Sequence, residues 1–132
     1  MIALDTNLLV RLLLQDVAAQ ARAVDRLFAR AQRDRTPLFI ADVVLCELVW
    51  VLARREKRSR KEIAAAVEGI LDAAGVVVMD AEIACRPLAA CRARGGDFAD
   101  YMIREQAWAA GASEVVTFDR AVKGDSGFRI LG

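Results

Sequence analysis

The stretch Ile2-Ala3-Leu4-Asp5-Thr6-Asn7 begins the chain and indicates the class of fold. Its three apolar residues are typical of a short buried strand, and the turn-forming Asp5-Thr6-Asn7 ends that strand. The following segment, Leu8 to Leu14, is apolar enough for a buried helix. The chain therefore starts with a strand, a turn and a helix.

The rest of the chain continues this alternation. Further strands are predicted at 38–40, 76–79, 114–118 and 128–131, and helices at 16–31, 42–53, 59–71, 81–94 and 98–110. Strands that alternate with helices predict a parallel sheet with helices on both faces. In such sheets the functional site lies beyond the carboxyl ends of the strands.

Several local features make this prediction specific. Asp16 and Asp42 are expected to be N-caps, and Ser59-Arg60-Lys61-Glu62 has the spacing of a capping box. The apolar run Val76-Val77-Val78-Met79, with three β-branched valines, predicts a central strand covered on both faces. Pro87 is expected to kink its helix or delay the start of that helix.

Length and composition indicate one compact domain over residues 1–132, because 56% of the residues are hydrophobic and no linker is visible. The start of the chain lacks the basic flank of a secretory signal, so we expect a cytoplasmic protein. The longest apolar run, Val43 to Ala53, is interrupted by Glu47 and is shorter than the roughly 20 residues of a membrane span.

The chain contains no histidine, which excludes a Ser-His-Asp triad, an HExxH zinc site and a histidine-pair ribonuclease. Cys46, Cys85 and Cys91 form no close pair and are predicted to be free, buried, small apolar side chains. The chemistry that remains is that of carboxylates, which select hard cations such as Mg²⁺ or Mn²⁺ when they cluster.

Positive charge is concentrated in one segment although the net charge is only +1. Six cations lie close together in the sequence: Arg54, Arg55, Lys57, Arg58, Arg60 and Lys61. Guanidinium groups match phosphate oxygens, so the segment is either a phosphate contact or a solvated junction between helices.

Five carboxylates are candidates for a functional site because of their positions in the sequence. Asp5 and Asp119 each follow a predicted strand, where an aspartate is either a turn former or part of a site. Asp97 and Asp100 are three residues apart at the start of a helix, so they are either ordinary capping residues or neighbours in a site. No local capping role explains all of these acids together.

Glu47 is the fifth acid, and it is the only charged residue between Val43 and Ala53. In an apolar helix we expect this carboxylate to be buried, which costs several kcal/mol, roughly, unless a partner compensates the charge. The partner is either an arginine, such as Arg11 or Arg104, or a bound metal ion.

These residues resemble those of PIN-domain nucleases, and the short chain looks like a toxin of the VapC type. The matching segments are Leu4-Asp5-Thr6-Asn7, Cys46-Glu47-Leu48, Asp97-Phe98-Ala99-Asp100-Tyr101 and Thr117-Phe118-Asp119. The resemblance implies a three-layer α/β/α domain with a central, mostly parallel sheet of four to five strands. It covers nearly the whole chain.

The resemblance also implies roles for individual residues. Asp5, Glu47, Asp100 and Asp119 would form a catalytic acidic core that binds Mg²⁺ or Mn²⁺, with Asp97 as either a fifth ligand or a residue that holds the water. Residues that would orient these carboxylates as hydrogen-bond donors are Thr6, Asn7 and Thr117. Tyr101, which stands where the family often has alanine, would narrow the mouth of the site.

The function implied is endonucleolytic cleavage of RNA, with tRNA as a favoured class of substrate, by water that the metal ion activates. Such toxins form homodimers and are inhibited by a cognate antitoxin. Two alternatives are a PIN-like binding module without catalysis and a phosphate-handling receiver or phosphatase domain. Against the latter, Asp5-Thr6-Asn7 lacks the second aspartate of such phosphatases, and no lysine ends a late strand.

Overall fold

The structure is a computed structural model that describes residues 1–132. The chain divides into two compact units, Met1–Ala81 and Glu82–Gly132. We call them unit 1 and unit 2.

Unit 1 contains a parallel sheet and four helices. The strands are β1 (Ile2–Ala3), β2 (Leu38–Ile40) and β3 (Val76–Val78), and the helices are α1 (Thr6–Leu14), α2 (Ala18–Arg33), α3 (Asp42–Arg54) and α4 (Arg60–Leu71). Helix α1 packs against α2 and α3, and α3 packs against α4. The alternation of strands and helices predicted for this part of the chain is confirmed.

The sheet of unit 1 has the order β1-β2-β3, and both pairs of strands are parallel. Ile2 lies opposite Leu38, and Leu38 lies opposite Val76, so the three strands begin at the same level. Their carboxyl ends consequently share one edge of the sheet. The core of the unit includes Leu9, Ile40, Leu45 and Leu48, none of which has exposed surface.

Unit 2 contains two helices and a pair of parallel strands. Helix α5 (Ala81–Ala93) starts at the boundary of the units and leads to α6 (Phe98–Ala109), followed by β4 (Val115–Thr117), a 3₁₀ turn (Arg120–Val122) and β5 (Phe128–Ile130). β4 pairs with β5 in parallel. Helix α6 ends before Gly111, whose φ of +93° is readily adopted by glycine, as predicted for a helix end.

The prediction of one central sheet of four to five strands is wrong. The chain has a three-stranded sheet in unit 1 and a separate two-stranded sheet in unit 2. The strands are only two or three residues long, so each pair is joined by few hydrogen bonds. The α/β class and the parallel pairing are confirmed, whereas Val76–Val78 is an edge strand with Val77 exposed, not a covered central strand.

Three other local expectations are wrong. The strand Ile2–Ala3 is exposed, although the adjoining Leu4 is buried. Val17, not Asp16, is the N-cap of α2, and Asp42 lies inside the first turn of α3 after the N-cap Ala41. Of the two effects expected of Pro87, a delayed helix start is absent, since α5 begins at Ala81 and contains the buried Pro87.

The cysteines are all free, as predicted, but none is fully buried. Cys85 is exposed, and Cys46 and Cys91 are half-buried, because the helices that carry them have one solvent face. Partial burial and the nearby charge of Asp42 raise the pKa of the Cys46 thiol to about 11. No helix has the length and apolar character needed to cross a membrane.

Candidate functional site

The first candidate acid of unit 1, Asp5, follows β1 and is the N-cap of α1. Its Oδ1 atom accepts a hydrogen bond from the backbone N–H of Thr6 at 2.8 Å. The side chain is exposed, and its second oxygen has no protein partner. Capping therefore uses half of this carboxylate and leaves the other half open to solvent.

Two residues beside Asp5 were expected to orient it through their side chains, and the structure places them differently. The Thr6 side chain is buried, and its Oγ1 atom has no hydrogen-bond partner. The Asn7 side chain is exposed. A buried hydroxyl without a partner is unusual, because it loses its hydrogen bonds with water without replacing them. Thr6 Oγ1 is thus a polar atom beside Asp5 that the protein alone does not satisfy.

Glu47 lies in α3, and the expectation that its carboxylate is buried is wrong. The side chain is exposed and makes no hydrogen bond or ion pair. Neither arginine considered as a partner is used, since Arg11 pairs with Asp16 at 2.8 Å and Arg104 pairs with Glu105 at 3.3 Å. The apolar neighbours in the sequence misled the prediction because α3 buries only one face.

The edge of the sheet in unit 1 carries further acids that sequence reasoning missed. Asp42 follows the central strand β2 by two residues, and Asp80 follows β3 by two residues, as Asp5 follows β1. This repeated spacing is the signal that was available in the sequence. All three aspartates belong to the carboxyl edge of one parallel sheet, where sites in such folds are found.

In unit 2, Asp97 and Asp100 are brought together at the start of α6. Asp97 is the N-cap, and the backbone N–H of Asp97 donates to Asp100 Oδ2 at 2.8 Å. The Asp97 carboxylate accepts in return from the backbone N–H at the third helical position, which completes a capping box. The predicted adjacency of these two acids is confirmed. Both acids also have a structural role, because they form the capping box of α6.

Asp119 follows β4 and caps the 3₁₀ turn. Its Oδ1 atom accepts from the backbone N–H of Ala121 at 2.8 Å, and its own N–H donates to Thr117 Oγ1 at 3.0 Å. Thr117 Oγ1 thus accepts from the backbone of Asp119, and the expected hydrogen bond from Thr117 to the Asp119 carboxylate is not among its contacts. Asp119 is exposed, and its second carboxylate oxygen has no protein partner.

The segment before Asp97 packs closely on the turn that follows Asp119. A Cβ atom on Gly95 would lie 2.8 Å from the carbonyl oxygen of Ala121, and one on Gly96 would lie 2.7 Å from Val122 Cγ1. Both positions require glycine because any side chain would collide with these atoms. Within unit 2, the glycines thus allow the start of α6 and the Asp119 turn to approach each other.

Tyr101 also holds the segment before α6 in place, and sequence reasoning missed this role. Its ring is fully buried, so the expectation that it narrows the mouth of a site is wrong. Tyr101 Oη accepts from the backbone N–H of Gly96 at 2.9 Å and donates to Asp125 Oδ2 at 2.7 Å. Burial and the hydrogen bond to Asp125 raise the pKa of Tyr101 to about 12.

A buried ion pair lies next to Tyr101 on α6. Arg104 donates to Glu105 Oε1 at 3.3 Å and to the Ser126 carbonyl oxygen at 3.2 Å, and both charged side chains are almost fully buried. The Arg104 guanidinium also stacks on the rings of Tyr101 and Trp108, at 5.1 and 4.8 Å from their centroids. This cluster joins α6 to the segment that precedes β5.

The donor chemistry of these residues fits a hard divalent cation. Carboxylate oxygens are the ligands that Mg²⁺ and Mn²⁺ prefer. Within either unit, no group of three or more acidic, cysteine or histidine side chains lies close enough to hold a metal ion by itself. Asp5 and Glu47 belong to unit 1, and Asp97, Asp100 and Asp119 belong to unit 2.

Comparison with protein families agrees with this chemistry. The model of a family described as PIN domain matches residues 2–123, which is nearly the whole chain. Proteins of this family are typically nucleases and generally use divalent metal ions. A comparison with curated proteins finds no significant match.

Proposed function

The chain belongs to the PIN-domain family, and on that premise we propose that it is a Mg²⁺- or Mn²⁺-dependent endoribonuclease. We further propose that it is the toxin of a toxin–antitoxin pair of the VapC type. The match of the PIN-domain model to residues 2–123 is the observation that carries the nuclease proposal. Glu47 is compatible with it, because its carboxylate is exposed and is not engaged by a protein partner. A carboxylate of this kind is available for chemistry.

The residues proposed to hold the ion are Asp5, Glu47, Asp97, Asp100 and Asp119. When bound, a divalent ion supplies charge neutralisation at the scissile phosphate and a lowered pKa for an attacking water. The backbone hydrogen bonds at Asp5 and Asp119 restrain each carboxylate while leaving one oxygen of each available. Carboxylates that are restrained in this way lose little conformational entropy when they bind an ion.

The absence of histidine supports hydrolysis by water over attack by the ribose hydroxyl, because the chain has no imidazole to deprotonate that hydroxyl. Asp97 or Asp100 is proposed to orient the attacking water and accept its proton. Attack by water on the phosphorus atom with departure of the 3′ oxygen leaves a 5′-phosphate on the product. The proposed substrate is RNA, with tRNA as a class to test first.

The proposed protein partners are a second copy of the chain and a cognate antitoxin. An apolar depression of about 270 Å³ in unit 1 supports an interface with protein, because apolar grooves on a surface favour burial. It lies between α1, α2 and α4 and is lined by Leu12, Leu13, Phe28, Ala65, Ala66, Gly69, Ile70, Ala73 and Val76. Light scattering of the purified protein tests the homodimer.

The nuclease is tested by incubating purified protein with total tRNA and with single-stranded RNA in Mg²⁺ or Mn²⁺. Controls are EDTA and Asp5→Asn, which keeps the shape of the side chain and its capping oxygen but removes its charge. We expect discrete fragments with 5′-phosphates that disappear in both controls. Circular dichroism confirms that the variant is folded.

Two outcomes contradict the proposal. Folded protein, free of any antitoxin, that cleaves neither RNA with either ion is a binding module without catalysis. Cleavage that survives Asp5→Asn places the reaction elsewhere or in a contaminant.

A further inference from the structure

Helix α3 has an exposed stripe that carries an aromatic side chain between an acid and a cation. Val43, Glu47, Trp50 and Arg54 are spaced by four, three and four residues, so they lie along one face of the helix. All four side chains are exposed, and Trp50 is 56% exposed. We call this face the α3 stripe. It presents a wide ring about one helical turn, ~5 Å, from Glu47.

Trp50 differs from the other tryptophan of the chain in how its ring is used. The ring of Trp108 stacks on the guanidinium of Arg104 at 4.8 Å and so contributes to the packing of unit 2. No aromatic ring or guanidinium group stacks on Trp50. One face of a large, polarisable ring is therefore available to a planar ligand.

The α3 stripe continues into the cationic segment. The six cations between Arg54 and Lys61 are all exposed, and Glu56 is the one acid among them. Arg58 pairs with Glu62 at 3.5 Å, but both side chains are about half exposed, and such ion pairs are weak in water. The segment therefore has a strong local positive charge that phosphate groups can reach.

We propose that the α3 stripe binds single-stranded RNA, with an unpaired base stacked on Trp50 and the adjacent phosphates held by the cations from Arg54 to Lys61. An aromatic ring beside a run of cations is the combination that single-stranded nucleic acid recognises, since every base offers a flat face. The inference rests on the proposed function. Glu47, one helical turn from Trp50, is a proposed metal ligand, and a base stacked on Trp50 would bring the neighbouring phosphates close to it.

A second copy of the chain fits this surface less well. A two-fold dimer places the same patch on both sides of the interface, so the cationic segments of two copies would lie close to each other. Like charges that meet at an interface oppose association. Polyanionic RNA is attracted by the same cations.

The test measures RNA binding in EDTA, where no cleavage occurs, so its result does not depend on nuclease activity. The probe is a fluorescein-labelled single strand of about twelve nucleotides, within the span that one small binding surface covers. The same strand annealed to its complement is the duplex control. The variants are Trp50→Leu, which removes the ring, Trp50→Tyr, which keeps an aromatic face, and Val43→Ala, which trims the stripe without touching a ring.

We expect Trp50→Leu to weaken single-strand binding by about 5- to 100-fold, the range of stacking losses on removal of an aromatic side chain. Trp50→Tyr and Val43→Ala should stay within about threefold of the parent protein, and the parent should prefer the single strand to the duplex. RNA should also quench the tryptophan emission of the parent. The remaining emission of Trp50→Leu, which comes from Trp108, should not respond.

Unchanged single-strand affinity in folded Trp50→Leu overturns the proposal, as does equal loss in Trp50→Leu and Trp50→Tyr. Loss of a dimer on light scattering in Trp50→Leu without RNA would assign the stripe to a second copy of the chain instead. Failure of the nuclease proposal looks different: RNA still binds through Trp50 in EDTA, but it stays intact when Mg²⁺ or Mn²⁺ is added.

Discussion

The candidate acids of the two units differ in how much the fold uses them. In unit 1, Glu47 has no protein partner and Asp5 has one backbone hydrogen bond. In unit 2, Asp97 and Asp100 share a capping box, and Asp119 caps a 3₁₀ turn beside Thr117. The acids of unit 2 therefore have a structural role in capping, whereas Glu47 makes no contact that the fold uses.

This difference predicts how substitutions of these acids should divide between stability and activity. A carboxylate that caps a helix is favoured by the free N–H groups at the helix start, so its position alone does not require a ligand. An exposed acid in the middle of α3 receives no such benefit. Substitutions in unit 2 should therefore change stability and activity together, and substitution of Glu47 should change activity alone.

The largest effect on stability is expected at the buried ion pair of unit 2. Glu105→Ala leaves the guanidinium of Arg104 buried without its carboxylate and also removes the contact of Glu105 with Arg86 at 3.5 Å, which together cost about 3–5 kcal/mol. Glu114→Ala is the matched control, because Glu114 pairs with Arg129 at 2.8 Å on the exposed surface and should cost at most about 1 kcal/mol. Urea unfolding measures both. Equal losses of stability in the two variants would show that the buried ion pair contributes no more to stability than the exposed one.

Glu47→Gln should reduce cleavage of RNA by about 100-fold or more, because it removes a charged ligand in full, and even supporting residues of metal sites are worth about 10- to 100-fold. The free energy of unfolding should change by no more than about 0.5 kcal/mol, since the side chain is exposed and has no partner. Initial rates with Mn²⁺ and urea unfolding give the two quantities. A marked loss of stability with full activity would reverse the contrast between the units.

Tyr101→Phe removes a hydroxyl that bridges Gly96 and Asp125, and we expect a loss of about 1–2 kcal/mol because both hydrogen bonds of this buried group are lost. The same variant carries a test by pH. The pKa of Tyr101 is raised from 10.0 to about 12, so the neutral form is favoured in the folded state. Its stabilising effect is complete below pH 10 and declines as the pH rises through about 12.

Unfolding in urea at pH 8 and at several values above pH 10 checks this prediction. The parent protein should lose more stability than Tyr101→Phe over the alkaline range, so the two curves converge. Parallel curves would mean that the phenol does not titrate differently in the folded and unfolded states.

Local rules accounted for much of the fold. The capping box at Ser59 and Glu62 and the helix start at Asp97 depend on residues three apart, and both were correctly predicted. The parallel pairing followed from the alternation of strands and helices. The number of strands per sheet could not be predicted, because it depends on hydrogen bonds between segments far apart in the sequence.

In the candidate site, too, local contacts were predicted and contacts that depend on tertiary packing were not. Sequence spacing predicted the neighbours Asp97 and Asp100, since one helical turn brings them together. The exposure of Glu47 was not predicted because a run of apolar residues does not reveal which face of a helix is buried. The Tyr101 bridge was also missed, since Gly96 and Asp125 meet only through tertiary packing.

The smallest effect concerns the two capping boxes, one in each unit. Ser59→Ala and Asp97→Ala should each cost about 1 kcal/mol, because each removes the side-chain acceptor of a helix start. The boxes differ in charge: the Ser59 box has one carboxylate, on Glu62, and the Asp97 box has two. A divalent ion that binds the folded protein stabilises it by mass action.

Mn²⁺ should therefore raise the melting temperature of Ser59→Ala as much as it raises that of the parent protein. It should raise the melting temperature of Asp97→Ala by less, because this variant lacks one of the proposed ligands. Equal shifts in both variants would restrict Asp97 to capping and leave Glu47 and the remaining acids as the proposed ligands.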